Sequence, residues 1–257
     1  MGSSQEFEFS IQEIIGTLKN TGLPTVLVEG SSDIIVYRRC EERLRDIGVD
    51  FVKVGKRKDT GGRKMVLAVF EHRCHIPNVQ LAFIVDNDVW INSGVPSKYC
   101  SDRLIRTSGY SIENDVFVDG NLEGLLTPSE LASFQKDLAS FLDWYALALN
   151  RHLADNTKPI KTHPNKVLNP DHYPTLTKLE PTETYPTALR DEMASDYKMK
   201  LRGKSLFGLL LRQLGRGSGR YNDDSLLNIV AVSPGALIQS IESKVRAVFT
   251  PSLGTEN

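Results

Sequence analysis

LAFIVDNDVW, residues 81–90, is the stretch whose reading decides the fold: an apolar run ends on Asp86, Asn87 and Asp88 before Val89 and Trp90. A short run of β-branched and aromatic residues predicts a buried strand. The carboxylates two apart at its end have two readings. They close the strand as a turn, or they hold a metal ion.

The preceding residues supply the context. PTVLVEG (24–30) is another short apolar run and predicts a strand that ends at Glu29. Ser31, Ser32 and Asp33 then offer N-cap side chains to a helix IIVYRRCEERLRDIG (34–48), which Gly48 stops. VDFVKVG (49–55) predicts a second strand and KMVLAVFEHRCH (64–75) a second helix, so 81–85 becomes the third strand. Strands and helices alternating in this way predict an α/β fold, a parallel sheet covered by helices. Functional groups of such sheets gather at the carboxyl ends of the strands. Glu29, Asp86 and Asp88 are all expected at that edge.

Further along, RLIRTSGY (103–110) predicts a fourth strand, and SIENDVF (111–117) a helix capped by Ser111 with Glu113 and Asp115 in its first turn. A long amphipathic helix is expected over 128–153, and MKLRGKSLFGLLLRQLG (199–215) returns to helix. Residues 155–189, rich in Pro, Thr, Asn and His, suggest a mobile insert. A Gly/Arg-rich loop (215–220) containing or flanking the acids of NDD (222–224) precedes a last helix near 234–249. The expected division is an N-terminal helix over 1–22, an α/β core over 23–120 and a helical C-terminal region over 121–257.

Bulk composition narrows the class. The chain has 257 residues, 40% hydrophobic and 25% charged, with a net charge of −1, as expected of a globular protein. Nothing approaches the ~20 consecutive apolar residues that a membrane helix requires, and the start MGSSQEFEFS is not that of a secretory signal. Three cysteines without a close pair suit reduced thiols, so a cytoplasmic location is expected. Charge is uneven, however. KVGKRKDTGGRK (53–64) holds six basic residues, Lys53, Lys56, Arg57, Lys58, Arg63 and Lys64, against one Asp. A solvated surface explains it; beside a metal site it would also suit a phosphate backbone.

The motifs VLVEGSSDIIVYRRC (26–40) and AFIVDND (82–88) together resemble the TOPRIM family: Glu after the first strand, Asp-x-Asp after the third. TSGYSIENDVF (107–117) and MKLRGKSLFGLLL (199–211) extend the likeness to the small TOPRIM nucleases of overcoming-lysogenization-defect (OLD) type, a group that includes the nuclease toxin of the PARIS anti-phage system. The resemblance implies a TOPRIM core and metal-dependent hydrolysis of nucleic-acid phosphodiesters. It assigns Glu29, Asp86 and Asp88 to metal binding, Asp33 and Glu113 to a second position of a two-ion Mg²⁺ or Mn²⁺ site, and Lys204 to charge on the phosphate. It further implies a toxin of phage defence cutting tRNA, other RNA or DNA, an ATPase partner that restrains it, and a homodimer.

Other readings compete. DNDV also resembles the opening motif of haloacid-dehalogenase-type phosphatases, with Asp86 as nucleophile, although that motif normally follows the first strand. A non-enzymatic binding or regulatory module, with structural acids, is the third class. GKS (203–205) does not complete a P-loop, because Lys198 stands where the motif needs its first Gly.

Overall fold

The computed structural model describes residues 2–30, 33–54, 62–214 and 221–250, with the backbone alone for 2–10. In chain order the first half contains α1 (Gly2–Lys19), β1 (Thr25–Val28), α2 (Ile34–Arg43), β2 (Asp50–Lys53), α3 (Gly62–Glu71), β3 (Leu81–Val85), α4 (Trp90–Ser93), β4 (Leu104–Arg106) and α5 (Ile112–Asp119). Helices follow: α6 (Pro128–Ala154), α7 (Pro164–Val167), α8 (Tyr173–Leu176), α9 (Thr187–Ser195), α10 (Tyr197–Lys200), α11 (Gly203–Leu214), α12 (Asp223–Val232) and α13 (Ala236–Phe249).

The four strands form one all-parallel sheet in the order β2-β1-β3-β4. Its central strands TVLV and LAFIV are buried at every position, as a parallel strand covered on both faces must be. The α/β architecture expected from the alternating pattern is therefore present. Val28 pairs with Ile84 across the β1–β3 ladder, which brings Glu29 level with the end of β3.

Two compact units make up the chain. The first comprises residues 1–87, 95–107 and 227–257; the second comprises 88–94 and 108–226. This differs from a simple division at residue 120, because α13 packs against β4 and returns the chain to the sheet.

In the sheet unit, α2 buries Val36, Tyr37 and Cys40, and α3 buries Met65, Val66, Val69 and Phe70. Phe70 meets Phe83 of β3 edge-on at 5.3 Å, and Tyr37 stacks on Phe51 of β2 at 6.1 Å. Both arrangements are favoured by the ring quadrupole. Arg43 of α2 donates to Oε1 of Glu242 at 2.8 Å and to the carbonyl of Ala231 at 2.8 Å, holding the returning helices.

The second unit is helical. Thr127 and Glu130 cap α6 reciprocally, with Pro128 at its first position, an arrangement that satisfies orphan N–H groups. Its buried stripe, Phe134, Leu138, Phe141, Tyr145 and Leu149, follows the helical period, and α9 and α11 pack against the helix. The stretch 155–189, read as a mobile insert, carries α7 and α8 and anchors Ile160, Pro164 and Val167 in buried positions. The NDD reading needs correction: Asp223 and Asp224 open a helix, α12, instead of lying in a loop.

Among the described residues no single helix is long and apolar enough to cross a membrane. The pair α12 and α13 passes only jointly, and it buries Val230, Ala231, Ile238, Ile241 and Val245.

Candidate active site

At the carboxyl edge of the sheet, Glu29 follows β1 and Asp86 follows β3. The strands are adjacent, and Oε1 of Glu29 accepts a 2.5 Å hydrogen bond from the backbone N–H of Asp86. Asp33 joins them from the start of α2, where its Oδ2 accepts the N–H of Gly30 at 3.3 Å. Its backbone is already helical and its side chain makes no cap hydrogen bond to α2, so the capping reading of Asp33 does not hold.

Tyr37, one helical turn beyond Asp33, reports that these acids share one neighbourhood. Burial pushes its phenol well above the usual range, and the charges of Asp86, Asp33 and Glu29 push it further in the same direction. Tyr37 therefore stays protonated beside the carboxylates. The sequence offered one signal for it, the i,i+4 spacing from Asp33, and it went unused.

Two close approaches fix the edge. A side chain at Gly62 would place its Cβ 3.0 Å from the Glu29 backbone carbon. Any larger residue would push Glu29 aside by a few tenths of an ångström. Arg63, the next residue, donates to the carbonyl of Asn87 at 3.1 Å. Asn87 itself ties the ends of β3 and β4: its N–H donates to Thr107 Oγ1 at 3.1 Å and its amide to the Thr107 carbonyl at 2.6 Å. The middle residue of Asp-Asn-Asp is thus a brace for the turn.

Of the basic stretch, Lys53 and Lys64 are exposed, Arg63 is committed to Asn87, and Lys56, Arg57 and Lys58 lie outside the described residues.

Asp88 and Glu113 belong to the helical unit. Asp88 has a left-handed φ of 51°, a conformation that is uncommon outside glycine and often found at functional sites. Its N–H donates to the Tyr110 carbonyl at 2.7 Å. The buried phenols of Tyr110 and Tyr145 are both raised, first by burial; the Asp88 charge adds to this and Arg202 opposes it.

Ser111 occupies the N-cap of α5, as expected. Its N–H donates to Asn114 Oδ1 at 3.0 Å and its hydroxyl to Glu113 Oε2 at 2.5 Å. Asn114 then reaches the carbonyls of Lys198 and Leu201 at 2.7 and 2.8 Å, fixing the bend between α10 and α11. Gly203 makes that junction possible: a Cβ there would lie 2.1 Å from Ser111 Oγ and 2.8 Å from Glu113 Cβ.

Lys204 is exposed on the first turn of α11. Asp223 lies in the electrostatic field of both Glu113 and Lys204, with His163 nearby. The structure thus brings Glu113 and Lys204 to one neighbourhood and adds Asp223, His163 and Arg202. None of the three was anticipated as a site residue: Arg202 lies within MKLRGKSLFGLLL, where attention fell on Lys204, no motif carries His163, and Asp223 was hidden by its apparent loop setting.

No family model matches the chain, and no curated protein shows significant similarity to it.

The acids at the sheet edge are all hard oxygen donors, which suits Mg²⁺ or Mn²⁺ in preference to softer ions. As the side chains stand, no three His, Cys, Asp or Glu residues among the described residues form a group that could hold a metal ion. The donor chemistry fits; the arrangement requires side-chain movement to close on an ion.

Proposed function

We propose that this chain is a TOPRIM-type, metal-dependent nuclease that hydrolyses nucleic-acid phosphodiesters. The observation that supports the reading most is the bond between Glu29 and the Asp86 N–H, with Asp33 beside them at the carboxyl edge of a parallel sheet. Such an edge is where α/β proteins place their chemistry, and carboxylates drawn together there repel one another unless a cation or a proton is shared.

Glu29, Asp33 and Asp86 would hold the metal at the sheet edge; the assignment of Asp88 and Glu113 to metal binding rests on the resemblance alone. A bound divalent ion supplies an activated water and neutralises phosphate charge. The protein's own contribution is positional. The Asp86 N–H fixes the Glu29 carboxylate, Arg63 and Thr107 hold the Asn87 turn, and Tyr37 remains a neutral donor beside the acids. The role of Lys204 toward charge on the phosphate likewise rests on the resemblance.

By the same resemblance the nuclease serves as a toxin of bacterial phage defence, restrained by an ATPase partner, with tRNA as target and a homodimer as active form. The test is purified protein with Mg²⁺ or Mn²⁺ against tRNA, other RNA, single-stranded DNA and duplex DNA, together with end-sequencing of cellular RNA after induction. Cleavage that is lost in Glu29→Ala supports the reading. Absence of cutting on every substrate, with no toxicity in the presence of a phage trigger, rejects it.

A further inference from the structure

The helical unit contains a cavity of about 440 Å³ whose lining includes four cations, Lys161, Arg202, Lys204 and Arg212, together with His163, and Asp223 on the same wall. Their ion pairing is unequal. Arg212 is neutralised by Asp137, its Nε donating to Oδ2 at 3.0 Å. Lys161, Arg202 and Lys204 have no carboxylate within ion-pair distance among the described residues. Asp223 is the single carboxylate of the lining; burial first and Glu113 second push its carboxyl upward, against Lys204 and His163.

The cavity is built on fixed supports. Arg202 and Lys204 flank Gly203, which is wedged against α5, while Asn114 clamps the preceding carbonyls. Lys161 and His163 lie between two buried anchors, Ile160 and Val167, and Pro164 would be 3.2 Å from a Cβ at Gly208 of α11. His163 accepts the Asn165 N–H at Nδ1, 3.1 Å away, which leaves the hydrogen on Nε2, the nitrogen that faces Gly208 in the cavity wall. The N-terminus of the 12-residue α11 adds its partial positive charge.

We propose that this cavity binds a phosphate group of a nucleotide, with Lys161, Arg202, Lys204 and the His163 Nε2–H as its donors. The cationic excess calls for a multiply charged oxyanion, and the fork of Arg202 suits phosphate oxygens. The volume lies within the ~300–1,000 Å³ of small-ligand sites and exceeds what one inorganic phosphate fills. Leu211 and Gly208 provide an apolar wall for the attached sugar or base. The phosphate comes either from a polynucleotide backbone or from a free nucleotide.

The site stands on its own geometry, and its test is binding by the full chain in EDTA, where no metal-dependent cleavage occurs. The probes are a fluorescent single-stranded oligonucleotide, followed by anisotropy, and AMP or inorganic phosphate as competitors. Lys161→Gln and Arg202→Gln, each checked for folding by its melting profile, should weaken binding roughly tenfold and flatten its salt dependence by about one phosphate contact each. The exposed Lys19→Gln should bind as the wild type does. Competition by AMP at concentrations where inorganic phosphate is ineffective supports a free nucleotide; affinity for the oligonucleotide alone supports a strand. Failure of the folded wild type to bind any probe overturns the proposal, as does unchanged binding in Lys161→Gln and Arg202→Gln. Binding in EDTA without cleavage in Mg²⁺ would reject the nuclease reading and leave this site in place.

Discussion

Oε1 of Glu29 accepts the backbone N–H of Asp86 at 2.5 Å, joining two strand ends that are 57 residues apart in sequence. One carboxylate therefore has a structural duty and a proposed chemical one, and substitutions can separate them. Glu29→Gln keeps an oxygen for the Asp86 N–H and should change stability by less than about 1 kcal/mol. Glu29→Ala leaves that N–H unmatched and should cost about 1–3 kcal/mol. Both should reduce metal-dependent cleavage by on the order of 10²-fold or more. Chemical denaturation beside a cleavage assay measures the two effects; full activity in Glu29→Gln would refute the assigned role.

The two glycine contacts should behave differently. At Gly62 the clash is 3.0 Å, against the Glu29 backbone. Gly62→Ala gains from a stiffer unfolded chain and loses by displacing Glu29, so its melting temperature should move little while cleavage falls. At Gly203 the approach to Ser111 Oγ is 2.1 Å, and Gly203→Ala should destabilise by about 1–3 kcal/mol or more. Equal and negligible effects at both positions would contradict the packing described.

How much of this was readable beforehand depended on whether the signal was local. The parallel sheet and the positions of Glu29 and Asp86 followed from short apolar runs ending in acids, because burial on both faces leaves β1 and β3 no polar alternation. The length of α6 was likewise visible in the spacing of Phe134, Leu138, Phe141 and Tyr145. What was hidden arose from distant partners. Asp33 looked like a cap because Asp commonly is one, yet Gly30 takes its carboxylate. Asn87 carried no reading of its own, and its role comes from Thr107 at the end of the neighbouring β4. The start of α12 was obscured by the Gly/Arg-rich stretch before it, and His163 by the Pro-rich composition around it.

Acid should loosen the segment after α6. Arg151 donates to both carboxylate oxygens of Glu183, at 2.7 Å through Nε, and to the Lys178 carbonyl at 2.8 Å. The Arg151 hydrogen bond holds the Glu183 carboxyl below the usual carboxylate range. A lowered folded-state pKa gives stability that is present above the unfolded value of ~4.3 and is lost as pH falls through the folded one. Arg151→Met should therefore cost about 1 kcal/mol near pH 7, and the difference from wild type should narrow at strongly acidic pH to what the Lys178 hydrogen bond leaves. A pH-independent gap in urea midpoints would show that the charge pair is not responsible.

The three thiols should divide into classes. Cys40 is buried while Cys74 and Cys100 are exposed. Burial, and secondarily Glu242, pushes the Cys40 thiol far above its usual range, so the reactive thiolate is suppressed. With a thiol reagent at pH 8, two groups should react promptly and the third only at the rate of unfolding. Three equal rates would place Cys40 at the surface, contrary to its packing in α2.

The bond from Arg43 to Glu242 spans 199 residues. At about 5–20 residues per second, synthesis needs roughly 10–40 s to cover that distance. Through most of this interval, once Asp86 has been made, a nascent chain carries Glu29, Asp33 and Asp86 but lacks the helix that packs on β4. The sheet unit is thus completed late in translation, and loop-closure entropy over so long a span slows its assembly. For the nuclease proposed above, the order of synthesis itself would postpone competence.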